Sequence, residues 1–344
     1  MKSSSARMIR SGAKFWSCAK KMKPSISILI SILISILISI SILTSPLAIA
    51  QLAGEPGAFS RLGFGARGMG MGNALTAVKD GDVSGFYNPA ATPFLSDHVG
   101  TLSYGVLSLD RALNTLSYSQ SIRPTAGCSI GIINSGVRNI DGRDADGFHT
   151  DNYFTSENQF AFSFANRMSP KVSLGIGLKI YYFRLFEKVA STNLGIDAGT
   201  LIRLTDQLTL GAALIDIGAK YKWDTSVLYG EQGNSTTERF PQLRKIGLSY
   251  AFEDSSALVS IELENSNVQS NIIRMGGEIA LADNFVVRAG LDHWNTKERQ
   301  QAAPTFGFTM RPSPGPFVPT LNYAYVIEPY GLFAMHIISL SSRF

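Results

Sequence analysis

From Asp97 to Phe344 apolar and polar residues alternate with period two, in stretches of about ten residues broken by Gly, Pro, Asn and Asp. Between Lys171 and Tyr182 the apolar set is Val172, Leu174, Ile176, Leu178 and Ile180, and the opposing set is Lys171, Ser173, Gly175, Gly177 and Lys179. Successive side chains of an extended strand point to opposite faces, so this spacing predicts strands with one apolar and one polar side. Cys128, Ile130 and Ile132 oppose Gly127, Ser129 and Gly131 in the same way, and Phe160, Phe162 and Phe164 oppose Gln159, Ala161, Ser163 and Ala165. Further on, Ile273, Met275 and Ile279 oppose Arg274, Gly276 and Glu278, and Phe285, Val287, Ala289 and Leu291 oppose Arg288, Gly290 and Asp292. Fourteen strands are predicted, near 98–107, 111–120, 126–134, 157–166, 171–182, 193–203, 207–217, 241–251, 256–264, 270–280, 284–292, 303–310, 317–326 and 334–344.

Alternation alone suits an exported β-sandwich as well as a membrane barrel. Strand length favours the barrel, because ten residues suit a tilted crossing of hydrocarbon better than the five or six usual in soluble sheets. Connection lengths favour it too. Those after even-numbered strands are short (121–125, 167–170, 204–206, 252–255, 281–283, 311–316), and those after odd-numbered strands include 135–156, 183–192, 218–240 and 293–302. Short turns on one side and long loops on the other are the asymmetry of outer-membrane barrels. The fold class expected is therefore all-β, a transmembrane antiparallel β-barrel of about fourteen strands. Its first and last strands pair, since lipid leaves no solvent for an open edge. Lys171, Lys179, Asp197, Arg274, Glu278, Arg288 and Asp292 would be costly on the lipid face and are placed in the lumen. Arg274 and Glu278 share a face four residues apart, with Arg288 and Asp292 on the next strand, so mutual pairing is expected.

Export is the third support. Residues 1–50 contain seven Lys and Arg and no acidic residue, then a Ser-Ile-Leu-Ile repeat from Ser25 to Leu43, then Ala48-Ile49-Ala50. That layout is a secretory signal peptide with cleavage before Gln51; a retained anchor is the competing reading, and Met22 is a second plausible start. Of the chain's 31 basic residues, 24 follow this segment, against 26 acidic ones. The formal charge of +5 therefore gives no support to nucleic-acid binding. Cys18 precedes the apolar run, and Cys128 alone makes neither a disulfide nor a Cys-based metal site.

Residues 51–96 do not alternate. They contain Gly63-Phe64-Gly65-Ala66-Arg67-Gly68-Met69-Gly70, which includes G-x-G-x-x-G without the preceding buried strand that a dinucleotide site requires. The run from Leu62 to Leu95 carries Gly65-Ala66-Arg67-Gly68-Met69-Gly70, Ala74, Ala77-Val78, Asp80 and Tyr87-Asn88-Pro89-Ala90. It resembles the N-terminal plug of PorV/PorQ family proteins, within the FadL-like β-barrel superfamily of Gram-negative outer membranes. Ala91 departs from the Gly that commonly follows Asn-Pro-Ala in PorV-like members, which weakens the match to the cargo-shuttling subtype. The ending His336-Ile337-Ile338-Ser339-Leu340-Ser341-Ser342-Arg343-Phe344 is also similar to the family's last strand.

The resemblance implies a fourteen-strand barrel with residues 51–96 folded inside residues 97–344 as a hatch. Asn88, Pro89, Ala90, Gly65, Gly68 and Gly70 are its gating candidates. It also implies outer-membrane lipid as surroundings, and barrel-assembly machinery reading the strand that ends in Phe344. Uptake of a hydrophobic small molecule through a plugged channel is the leading function expected. The alternative is a secretion-associated receptor that binds exported cargo proteins through its outer loops. No catalytic residue, metal site or cofactor is predicted. His98, His149, His293 and His336 lack metal-ligand spacing, and in Asp141–Gly147 Gly142 stands where the first carboxylate of a calcium loop belongs, leaving an acidic solvated loop.

Overall fold

The computed structural model describes residues 54–186, 188–253, 256–268, 270–295, 302–312, 318–327 and 333–344. The expected signal peptide and its expected cleavage before Gln51 lie outside these residues. The strands are β1 (Val99–Val106), β2 (Arg111–Ile122), β3 (Ala126–Val137), β4 (Ile140–Arg143), β5 (His149–Tyr153), β6 (Ser156–Arg167), β7 (Val172–Phe186), β8 (Val189–Arg203) and β9 (Leu208–Ile217). They continue as β10 (Lys220–Asp224), β11 (Ser235–Arg239), β12 (Leu243–Ala251), β13 (Ala257–Ser266), β14 (Asn271–Ala282), β15 (Phe285–Asn295), β16 (Ala303–Met310), β17 (Val318–Val326) and β18 (Met335–Arg343). Fourteen of them close into one barrel, while β4–β5 and β10–β11 form two separate hairpins. Closure runs from Val99 opposite Arg343 to Val106 opposite His336, which pairs the first strand with the last.

The apolar faces point out of the barrel. On β7, Ile176 is 64% exposed while Ser173 is fully buried, so the apolar side is not the core of a sandwich. Burying a polar face inside and leaving apolar side chains outside is favourable only where the surroundings are hydrocarbon.

Three departures from the expected strands have physical reasons. The expected loop 183–192 is largely absent because β7 and β8 pair on to Phe186 and Val189. Lys171, expected in the lumen, lies exposed in the turn before β7, where the strand has not yet entered the barrel. Alternation also fails at Leu291 and Asp292, both buried, beside a register shift between β14 and β15. The extra residue of a bulge puts consecutive side chains on one face.

The interior is filled by residues 54–96. They form three short helices, α1 (Ala58–Arg61), α2 (Gly65–Gly70) and α3 (Ser84–Tyr87), and a 3₁₀ helix over Pro89–Phe94. Helices of four to six residues do not hold their shape alone, so burial against the wall sets this conformation. Met69, Met71, Leu75, Val78 and Val83 are buried there, and Phe64 stacks on Phe86 with ring centroids 4.1 Å apart.

Candidate functional site: the contact between the luminal segment and the barrel wall

Asn88-Pro89-Ala90 forms a tight turn against the inner wall. Asn88 Oδ1 accepts a hydrogen bond from Ala90 N (3.0 Å), while its Nδ2 donates to Thr76 O (2.8 Å) and to Thr200 O of β8 (3.0 Å). Pro89 then starts the 3₁₀ helix, where a residue without an N–H loses no bond. The wall is made flat to receive the turn. Gly175 of β7 and Gly199 of β8 sit directly opposite each other, and a Cβ on Gly199 would lie 2.1 Å from Asn88 Oδ1.

The glycines of α2 have related roles. A Cβ on Gly68 would lie 2.2 Å from Tyr87 Oη, the hydroxyl that donates to Asn73 Oδ1 (2.6 Å) and accepts from Phe64 N (2.9 Å). Gly70 O accepts from Thr305 Oγ1 of β16 (3.2 Å), and Gly65, at positive φ, is followed by Ala66, whose N donates to Ser339 Oγ of β18 (2.8 Å).

Ion pairs hold the same interface. Arg67 of α2 grips Glu278 of β14 with two hydrogen bonds (Nε to Oε2 3.1 Å, Nη2 to Oε1 2.5 Å), and Arg288 of β15 reaches the same carboxylate (2.9 Å). Deeper in the lumen Arg274 meets Asp292 (2.7 Å) and Glu264 (2.7 Å), and Lys245 meets Glu262 (3.3 Å) and Glu264 (3.1 Å). The luminal segment ties into this cluster through Asn73 Nδ2 to Asp292 Oδ2 (2.7 Å) and Thr76 N to Glu262 Oε2 (3.1 Å). A third group joins Lys179 of β7 to Asp197 of β8 and Asp216 of β9, each at 2.9 Å. Buried charges persist only when paired in this manner.

Lys179, Asp197, Arg274, Arg288 and Asp292 are buried and Glu278 is half-buried, each in an ion pair, whereas Lys171 lies exposed. Pairing runs across strands, Arg274 with Asp292 and Arg288 with Glu278; no contact joins Arg274 to Glu278, four apart along one strand, where the spacing is too long for direct contact. Sequence reasoning missed Arg67, Asn73, Asp216, Lys245, Glu262 and Glu264. The last two were legible, because Ile261-Glu262-Leu263-Glu264 alternates as clearly as the strands that were used.

Several cavities lie along the interior, among them the following. The one on the side of the short turns, about 420 Å³, is lined by Arg67, Asp82, Glu278, Arg288 and Asn322 among others. A second, about 60 Å³, is bounded by Arg61, Asn73, Gln159, Lys179, Asp216 and Arg274. The third, about 470 Å³ on the side of the long loops, is walled by Glu55, Glu157, Phe183, Tyr221 and Glu238. Next to it Phe59, Tyr181, Phe183, Tyr221, Trp223 and Phe240 pack ring to ring, with centroids 4.7–6.5 Å apart.

The four histidines stay apart, His98 beside Tyr118, His149 on Asp141, His293 on Asp292 and His336 on Tyr323. Among the described residues no group of three or more His, Cys, Asp or Glu could hold a metal ion. In the β4–β5 hairpin, hydrogen bonds from His149 and then Arg143 hold the exposed Asp141 carboxyl below its ordinary value.

No protein-family model matches the chain, and no curated protein sequence does. Solved structures do share its fold. The CymD monoaromatic hydrocarbon channel superposes with a TM-score of 0.58 at 16% identity, over 82% of this chain and 97% of that one. The toluene transporter TbuX of Ralstonia pickettii gives 0.58 at 13% identity over 82% and 98%, and a FadL homologue of Pseudomonas aeruginosa gives 0.58 at 14% over 82% and 98%. The chain therefore has the FadL-like barrel fold.

Proposed function

We propose that this protein is an outer-membrane barrel through which a small hydrophobic molecule passes inward, with residues 51–96 as the hatch. What supports this reading is the grip of the chain's own N-terminal segment on the inner wall of the barrel, through hydrogen bonds and the Arg67–Glu278 ion pair. On the long-loop side Phe183 and Tyr221 are the aromatic residues that line the adjoining cavity. The fold supports the same reading, since proteins that share it are described as hydrocarbon channels and toluene transporters. Accumulation of a hydrophobic fluorescent probe tests it, in cells that express the protein behind an intact lipopolysaccharide leaflet. Faster entry than in cells without the barrel is expected, and equal entry rejects the channel.

A second reading is a PorV/PorQ-type receptor for exported cargo proteins, which the tips of the two hairpins favour. Phe148 is 71% exposed, Val227 61% and Tyr229 64%, well beyond the strands that face lipid. Trimming both tips leaves probe entry unchanged under the channel reading and abolishes cargo retention under the receptor reading. In both readings the strand ending in Phe344 is the segment that barrel-assembly machinery engages.

A further inference from the structure

We infer that the short-turn mouth of the barrel carries a binding site for one dianionic phosphate group, held by Arg167 of β6 and Arg203 of β8 where they converge on Phe94. Phe94 ends the 3₁₀ helix of the luminal segment, and both guanidiniums lie over its ring, Arg167 Cζ 5.7 Å and Arg203 Cζ 5.8 Å from the centroid. The strands explain the convergence. Arg167 stands opposite Ser173 at the start of β7, and on the other side of that strand Arg203 N donates to Lys171 O (2.8 Å). Each arginine follows a fully inward-facing residue by two positions, Ala165 and Leu201, so both side chains point into the lumen. Strands separated by one neighbour lie about 10 Å apart, and two long side chains leaning inward from them reach one ring.

Charge identifies the ligand class. The luminal cations Arg67, Lys179, Lys245, Arg274 and Arg288 each meet a carboxylate. Among the described residues no carboxylate pairs with Arg167 or Arg203, and the Nε of each is buried without an acceptor. Arg167 Nη2 donates to Pro124 O (2.7 Å), which ties it to the turn between β2 and β3. The turns β2–β3, β6–β7 and β8–β9 are neighbours around the barrel and carry Arg123, Arg167, Lys171 and Arg203 against one acid, Asp206. Two guanidiniums on one ring repel and leave donors unmet. A phosphate monoester answers both, since near neutral pH it brings nearly two charges and three acceptor oxygens to the planar forks of arginine. A carboxylate or a phosphodiester brings one charge. Arg167, Arg203 and Phe94 are half-buried, so the group reaches them from solvent at the mouth. Their luminal face turns away from the surrounding bilayer, which makes a soluble phosphate ester the source.

The test titrates inorganic phosphate into the folded full chain in detergent, at constant ionic strength, and reads the heat of binding. Saturable binding of one phosphate is expected, weakening as acid converts the dianion to the monoanion. Arg167→Gln and Arg203→Gln should each weaken it by about tenfold or more, with heat-modifiable migration retained, while Arg311→Gln on the turn after β16 leaves it unchanged. In the wild type, glycerol phosphate should compete and acetate should not. Competition by phosphatidic acid in mixed micelles, with none by glycerol phosphate, keeps the phosphate site and overturns the soluble source. An absence of saturable heat in the wild type, binding that survives in both arginine variants, or competition by acetate as strong as that by glycerol phosphate overturns the site itself.

Discussion

Arg274 shows how much of the lumen depends on single residues. Its guanidinium is 3% exposed and faces Glu262, Glu264 and Asp292, so removing it leaves Glu262 and Glu264 sharing Lys245 and Asp292 with, among the described residues, only Asn73 and His293 beside it. Arg274→Met should cost about 3–5 kcal/mol, the usual penalty for stripping one partner from a buried pair. A fall in the temperature of band conversion, partly restored by Arg274→Lys, is the expected result. Arg274 itself was legible in the sequence as a charge on the face opposite Ile273 and Met275, and its partners Glu262 and Glu264 follow from the alternation of the preceding strand β13, where Glu262 stands directly opposite Arg274. Asn88 is the other residue on which the arrangement turns, because one amide bonds the luminal segment to itself and to β8. Asn88→Ala with Pro89→Ala is expected to loosen the segment and raise conductance and antibiotic sensitivity, with heat-modifiable migration retained. Unchanged permeability in a correctly assembled double variant removes the gating role.

At the level of elements, strands that cross the membrane were readable and those that do not were missed. A crossing strand needs about ten residues with every second one apolar, and that demand writes a long signal into the sequence. β4 and β5 have four and five residues, lie in the connection 135–156 and meet no lipid, so nothing forces them to alternate. β10 does alternate, placing Tyr221 and Trp223 inward, but over five residues the pattern is too short to separate from chance. The β4–β5 hairpin carries a prediction of its own. Its Asp141 is depressed by His149 and Arg143, so the stabilisation is present above the ordinary carboxylate range and lost as pH falls through the lowered value. His149→Ala should move the Asp141 titration upward toward that ordinary range, as followed by carboxyl chemical shifts, and shift the acid opening of the hairpin to higher pH. An Asp141 titration that does not respond would show that the hydrogen bond from His149 is not made in solution.

For the whole molecule, closure follows from the pairing of β1 with β18, and the seam is finished by aromatic contacts. His98 N donates to Phe344 O (3.2 Å), Phe344 N donates to His98 O (3.1 Å), and the two rings lie 6.0 Å apart with Tyr118 alongside. The even strand count, the side of the short turns and the position of the last strand were all legible, because one membrane of fixed thickness constrains every hairpin alike. The filling of the lumen was not legible from periodicity. Residues 54–96 follow no repeat, and only the resemblance around Asn88-Pro89-Ala90 suggested where they go. Orientation in the membrane gives the last prediction. Both chain ends of the barrel and the β2–β3, β6–β7, β8–β9 and β14–β15 turns lie on one side, Arg123 among them, while the hairpin tip with Val227 lies on the other. In a Cys128→Ser background, Val227→Cys should react with a membrane-impermeant maleimide on intact cells, and Arg123→Cys only after the outer membrane is permeabilised. Labelling of Arg123→Cys alone would invert the barrel, and recovery of the mature chain as a soluble periplasmic protein would remove it from the membrane altogether.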